Sequence, residues 1–231
     1  MPLRPHQIDA LDAMANHTKG QIIVPTGGGK TMCMIDDTKR VFRTQEFATI
    51  VVVAPRILLA EQLSSEFLEE IDDVDVMHVH SGETPHFSST KKDQIEDWWI
   101  GSEFCHKIIF TTYHSLHRIQ NSLVSVDTIY FDEAHNSVNR NFFPATKFYG
   151  TVGSDRCFFF TATPKHSITI QKAGMNDREV YGDVLINVPA PKLVEQGYIL
   201  PPKVEVYKSR LLRKDEIYAD VESEQMISAI D

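Results

Sequence analysis

Apolar positions along the chain recur in two rhythms. Short strand-like segments at 21–24, 49–53, 74–79, 107–110, 126–131 and 156–160 are mainly apolar and predict strands. The run at 49–53 is β-branched and has no polar alternation, which suits a strand buried on both faces. Between these runs the spacing turns helical. Residues 5–17 place Ile8, Leu11 and Met14 on one face, and residues 56–71 do the same through Leu59, Leu63, Phe67 and Ile71. Further helices are predicted over about 30–42, 91–100 and 115–120, with a loop at 83–89. Strands alternating with helices imply crossover connections. The expected fold is therefore α/β, a mainly parallel sheet with helices on both faces. In such sheets ligands sit at the carboxyl ends of the strands. After Pro164 the pattern weakens. Residues 180–188 and 204–207 read as strands, 189–196 as a short helix, and 210–231 as a charged, mildly helical connector or the start of another domain.

Composition narrows the class. With 231 residues and 42% hydrophobic positions, the chain can build a core. No apolar run approaches the roughly 18 residues of a spanning helix, so no membrane partner is expected. Met1-Pro2-Leu3-Arg4 leads into polar residues rather than a signal-peptide core, and a cytoplasmic or nucleoid location is expected. Cys33, Cys105 and Cys157 lie far apart without a C-x-x-C pair, which suits reduced thiols rather than a disulfide or zinc framework. The net charge of -9 counts against a broad basic footprint for nucleic acid, although a local basic face fits within it.

Two segments carry chemistry. Thr26-Gly27-Gly28-Gly29-Lys30-Thr31 lies between a predicted strand and a predicted helix. Glycines let backbone N–H groups turn toward phosphate oxygens, and the next helix aims its positive end at the same anion. Lys30 would reach the β- and γ-phosphates of ATP, and the Thr31 hydroxyl would hold Mg²⁺. The usual phosphate-loop pattern has glycine where Val24 stands, so the strict motif fails by one position. The alternative is a glycine-rich turn followed by a chance Lys-Thr pair.

The second segment is Asp132-Glu133-Ala134-His135, at the end of the predicted strand 126–131. Two carboxylates after a buried strand are costly unless a metal or hydrogen bonds satisfy them. Asp132 suits the Mg²⁺ shell, and Glu133 suits orienting and activating the attacking water. The alternative is a helix start, with Asp132 as N-cap and Glu133 in the first turn.

These two segments, in this order, resemble the superfamily 2 helicases and translocases, with a RecA-like P-loop NTPase fold. Leu3-Arg4-Pro5-His6-Gln7 resembles the family's adenine-recognition segment, which implies Gln7 as base reader with Arg4 beside it. Val53-Ala54-Pro55-Arg56 resembles motif Ia and Thr111-Thr112-Tyr113 motif Ib, which implies backbone contacts to nucleic acid from Arg56, Thr111 and Thr112. Thr161-Ala162-Thr163 resembles motif III. The resemblance implies that His135, Thr161 and Thr163 couple the ATP site to the bound strand. The R-P-x-Q start and the TAT motif lean toward the duplex-DNA branch, including type I and III restriction motor subunits and phage UvsW-like helicases. Lys30, Asp132 and Glu133 are then the catalytic set, with ATP and Mg²⁺ as cofactors and duplex DNA as partner. Motifs IV to VI and their arginine finger belong to a second RecA-like lobe. The expected division is a first lobe over 1–209 and a connector over 210–231. RNA as substrate and another kind of P-loop ATPase remain the alternatives.

The remaining polar residues have plainer readings. His78, His80 and His86 lie close in sequence, but no carboxylate or cysteine beside them completes a recognisable ligand set. Trp98 and Trp99 suit a helix packed on the sheet better than base stacking.

Overall fold

The strand without polar alternation lies in the middle of the sheet. The computed structural model describes residues 2–169 and 171–201, and those up to Ile199 form one compact unit. The expected strand at 204–207, the connector at 210–231 and the boundary between them lie outside the described residues. The described strands are β1 (Lys19–Ile23), β2 (Ala48–Ala54), β3 (Asp75–Val79), β4 (Phe87–Ser88), β5 (His106–Thr112), β6 (Thr128–Phe131), β7 (Arg156–Thr161) and β8 (Val184–Asn187). They form one sheet in the order β4-β3-β5-β2-β6-β7-β1-β8, and every neighbouring pair is parallel. The RecA-like α/β expectation holds.

Helices α1 (Pro5–Asn16), α2 (Lys30–Thr44), α3 (Ile57–Leu68), α4 (Lys92–Gly101), α5 (Leu116–Gln120), α6 (Phe143–Thr151), α7 (Arg178–Tyr181) and α8 (Ala190–Glu195) cover both faces. Successive strand residues point to opposite faces, so each apolar run feeds two cores. Ile50, Val52, Phe110, Phe158 and Phe160 meet Met14, Met34 and Phe67 from α1, α2 and α3. Val51, Val53, Ile109, Phe131 and Phe159 meet Ile95, Leu116 and Tyr149 from α4, α5 and α6. Under α2, buried Asp37 accepts two bonds from Arg156, at 2.9 and 3.0 Å, and one from the Tyr130 hydroxyl at 2.6 Å. Breaking a buried pair of this kind costs about 3–5 kcal/mol. The network therefore anchors α2 to β6 and β7.

Four expectations are corrected. Helix α1 buries His6, Gln7, Ala10 and Met14, while Ile8 is 47% exposed. Polar bonds from His6 and Gln7 to the glycine loop set the helix's rotation, so the apolar stripe does not choose its face. The run at 180–188 is the end of α7, a turn at Gly182 (φ 68°) and then β8. The loop at 83–89 contains the two-residue edge strand β4. Helix α6 was not expected, because a proline stands at its second position and it lacks a clear apolar stripe.

Candidate functional site

Sheet order brings the chemistry together. Strands β6, β7 and β1 are neighbours, so the segments leaving their carboxyl ends emerge side by side. The Val24 amide bonds Thr161 at 3.0 Å and the Asp132 amide bonds Val53 at 2.8 Å, extending the ladders to the threshold of each loop.

The glycine loop turns on two left-handed residues, Gly27 at φ 76° and Gly29 at φ 86°. A side chain at either position would be strained. Gly29 is also the N-cap of α2, so the loop leads directly into the helix's positive end, while the Gly28 amide donates to Pro25 O at 2.9 Å. The missing glycine at position 24 has a spatial explanation. A Cβ on Gly28 would collide with the Val24 side chain, so Gly28 makes the room that Val24 occupies.

Three residues of the N-terminal segment hold the three loop carbonyls in turn. Arg4 donates to Gly27 O at 3.0 Å, His6 Nε2 lies 2.7 Å from Gly28 O, and Gln7 Nε2 donates to Gly29 O at 3.0 Å. Gln7 Oε1 accepts from the Arg4 amide at 2.8 Å. Both ends of the Gln7 amide are thus engaged with the protein's own backbone. Tyr198 lies under Arg4, whose guanidinium is 5.0 Å from the ring centroid, and near His6 at 5.9 Å between rings. Neither His6 nor Tyr198 was singled out from sequence. His6 lay inside a quoted segment, whereas nothing around Tyr198 pointed to the loop. Thr26 is exposed, and Thr31 is half-buried in the first turn of α2.

Across from the loop, Lys30 Nζ lies 3.6 Å from Glu133 Oε1 and 3.5 Å from Val24 O. Glu133 is left-handed, at φ 45° and ψ 52°. For a residue with a Cβ that costs of order 1–3 kcal/mol and persists only where surroundings enforce it. Asp132 is pushed up to about 6, first by burial and then by repulsion from Glu133, against the pull of Lys30. The helix-start alternative fails here. A three-residue 3₁₀ turn, Ala134–Asn136, follows the acids, its N-cap is Glu133, and neither carboxylate caps it.

His135 links this segment to the end of β7. Its Nδ1 lies 3.0 Å from Thr161 Oγ1 and 3.4 Å from Glu133 Oε2, and the Thr163 amide donates to Thr161 Oγ1 at 3.1 Å. Thr163 thus joins the chain through its backbone, while its side chain is exposed. The Tyr113 hydroxyl donates to Asp132 O at 2.7 Å, a support that sequence reading did not identify.

The family model described as "Type III restriction enzyme, res subunit" matches residues 1–166. The chain belongs to that family. No curated protein matches it. Among solved structures, a nuclease-deletion mutant of the type ISP restriction-modification enzyme LlaGI, in complex with a DNA substrate mimic, superposes at a TM-score of 0.68 with 18% identity. That match covers 100% of this chain and 24% of the enzyme. The type ISP enzyme LlaBIII bound to DNA gives 0.70 with 18% identity, covering 85% of this chain and 16% of the enzyme. The UvsW helicase from Bacteriophage T4 gives 0.56 with 13% identity, covering 80% of this chain and 60% of that one. The chain thus spans at most a quarter of the two restriction enzymes, and at these identities the likeness is one of fold.

Within this res-family domain, the residues expected to touch nucleic acid divide. Arg56 is exposed at the N-cap of α3. Thr111 and Thr112 are not available, at 0% and 4% exposed. Both end β5 between two neighbouring strands, and the Thr111 hydroxyl donates to Val79 O at 2.8 Å. A buried hydroxyl already donating to a backbone carbonyl has no proton to offer a phosphate. Trp98 and Trp99 pack as read from sequence: Trp98 joins the core beneath α4, and Trp99 Nε1 donates to Thr49 Oγ1 at 3.0 Å.

Proposed function

We propose that residues 1–209 are the ATP-binding first lobe of a DEAH-class DNA helicase or translocase, and that residues 210–231 lead to a second RecA-like lobe. The observation that carries this reading is the convergence of Lys30 and Glu133 to 3.6 Å across a left-handed glycine loop. Lys30 in this position suits the ground-state phosphates, and its contact with Glu133 gives way when a γ-phosphate offers a stronger partner. Glu133 is then free to orient water. The buried Asp132 carboxyl is held protonated up to about pH 6 by burial and Glu133. A divalent cation removes the cause, so Asp132 with Thr31 fits Mg²⁺, which supplies charge neutralisation at the phosphates. Arg4 and Tyr198 flank the loop, whereas Gln7, expected as the base reader, is buried with both ends of its amide engaged and holds the loop instead. His135, Thr161 and Thr163 are the proposed coupling path. DNA as the substrate is favoured by the two restriction enzymes, both solved on DNA, and Arg56 is the proposed backbone contact.

The test is equilibrium nucleotide binding and turnover of Lys30→Ala and Glu133→Gln in a two-lobe protein. Lys30→Ala should weaken ATP binding by at least about tenfold, or 1.4 kcal/mol. Glu133→Gln should bind ATP normally and fail to hydrolyse it. Normal turnover by Glu133→Gln would overturn the assignment.

A further inference from the structure

We infer that Glu61, His78 and His80 form a site for a borderline first-row cation such as Zn²⁺, separate from the nucleotide site. His78 is in β3, His80 directly follows it, and Glu61 reaches across from α3. The carboxylate missing from the sequence around the histidines is therefore supplied by a helix above them. Three ligand atoms make a nearly equilateral triangle. Glu61 Oε1 is 3.1 Å from His78 Nδ1 and 3.2 Å from His80 Nε2, and the two nitrogens are 3.0 Å apart. A cation at about 2.0–2.1 Å from each atom would stand about 1 Å out of their plane, leaving its fourth position open.

An orphaned atom points to the same occupant. Glu61 Oε1 is buried and has no hydrogen-bond partner, although two imidazole nitrogens lie within 3.2 Å. The distances would suit ion pairs, but the one proton between the two rings is engaged in the His78–His80 hydrogen bond. Burial, then His80 and His86, brings the His78 pKa down to about 3, and burial lowers that of His80 against the pull of Glu61. Burial thus disfavours the charged form of both rings. A buried carboxylate oxygen without a donor is costly, and a cation relieves that cost.

The surrounding groups already orient two of the ligands. His78 Nε2 lies 3.0 Å from Ser64 Oγ, its Nδ1 is hydrogen-bonded to His80 Nε2 at 3.0 Å, a bond that an ion would replace, and Thr84 donates to Glu61 Oε2 at 3.0 Å. His80 must adjust. Its Nδ1 accepts from the Gly82 amide at 3.2 Å, which places the ring proton on Nε2 in the ion-free protein. On uptake that proton moves to Nδ1, and the Gly82 amide turns away. Two imidazoles and a carboxylate suit Zn²⁺, Co²⁺ or Ni²⁺ and not Mg²⁺, which needs a shell of oxygens. An ion there would tie α3, whose first turn follows Arg56, to the carboxyl end of β3.

The experiment uses the untagged, chelator-treated chain in excess Mg²⁺, without nucleotide, so its outcome is independent of the ATPase reading. Cobalt(II) should produce visible absorption bands that saturate at one ion per chain and are displaced by Zn²⁺. Zinc should raise the melting temperature. Glu61→Gln and His80→Asn should each weaken binding at least tenfold, while His17→Asn leaves it unchanged. No visible band and no thermal shift in the wild-type chain would overturn the proposal, whether or not the variants fold. So would a titration that Glu61→Gln leaves intact.

Discussion

Two carboxylate sites border the same sheet in different company. Asp132 and Glu133 leave β6 beside an ammonium, a glycine loop and the start of α2. Glu61 faces two imidazoles beside β3. Both hold carboxylate groups whose burial is incompletely compensated, but the surroundings select different ions. Oxygen donors favour a hard cation, and imidazole nitrogens favour a borderline one. The contrast with Thr111 and Thr112 is as informative. Those residues also stand at a strand's carboxyl end, yet they are buried and Thr111 is bonded within the sheet. Unmet polarity and strain, rather than position at the sheet edge, separate binding groups from structural ones.

The largest expected effect tests whether the β6–β7–β1 edge is complete by itself. No arginine approaches Glu133 among the described residues' ion pairs. An arginine finger is worth about 10³–10⁵ in rate. Steady-state ATPase assays of residues 1–231 and of a two-lobe protein, each with and without duplex DNA, should differ by that order. Vigorous DNA-stimulated turnover by the single lobe would break the comparison.

Next is Glu133→Gln, measured by single-turnover hydrolysis in the two-lobe protein. A loss of about 10²–10⁴ is expected of a group that manages the water's proton. A smaller loss would return Glu133 to a structural role as Lys30's partner.

Asp132 gives a pH signature. Its carboxyl titrates at about 6 in the folded chain against an ordinary 3.8. Below about 6 a proton competes with Mg²⁺, so Mg²⁺-dependent nucleotide affinity should fall by about tenfold per pH unit. Without Mg²⁺ the sign for stability is the reverse of the usual carboxylate. The folded state holds this proton more tightly, so stability is highest below about 4, falls as pH rises toward 6 and is flat beyond. The full penalty is about 3 kcal/mol. Asp132→Asn should recover part of it in chemical denaturation at pH 7 while losing the Mg²⁺ response. An unchanged or lower midpoint would show that the group is not strained by burial.

The smallest effect concerns DNA. Arg56→Ala should weaken duplex binding a few-fold and lower the salt slope by about 1. Thr112→Val, buried and nearly isosteric, should leave DNA affinity unchanged in the same salt titration. Equal losses from both would restore Thr112 as a contact.

Much of the architecture was legible because local patterns report burial. The mainly apolar runs that became β2, β5, β6 and β7 are apolar on both sides and need cover on both faces, which nearly dictates the sheet. Helix α1 was legible as a helix but not in its rotation, because bonds from His6 and Gln7 to residues more than twenty positions away set its face. Helix α6 gave no stripe to read. The glycine loop and the acidic segment could be located by residue type and order, and the departure at Val24 became intelligible only through Gly28.

The sequence by itself determined which residues could do chemistry. Three glycines before Lys30, two acids after an apolar strand and a threonine pair after the next strand are local statements, and local chemistry survives in one dimension. Only the tertiary structure decided which of them meet. Strand order is set by how the two faces pack, not by order along the chain, so β7 and β1 became neighbours while β1 and β2 did not. That arrangement placed Lys30 against Glu133 and His135 against Thr161, buried Thr111 and Thr112, and carried Glu61 from a helix surface to the two histidines.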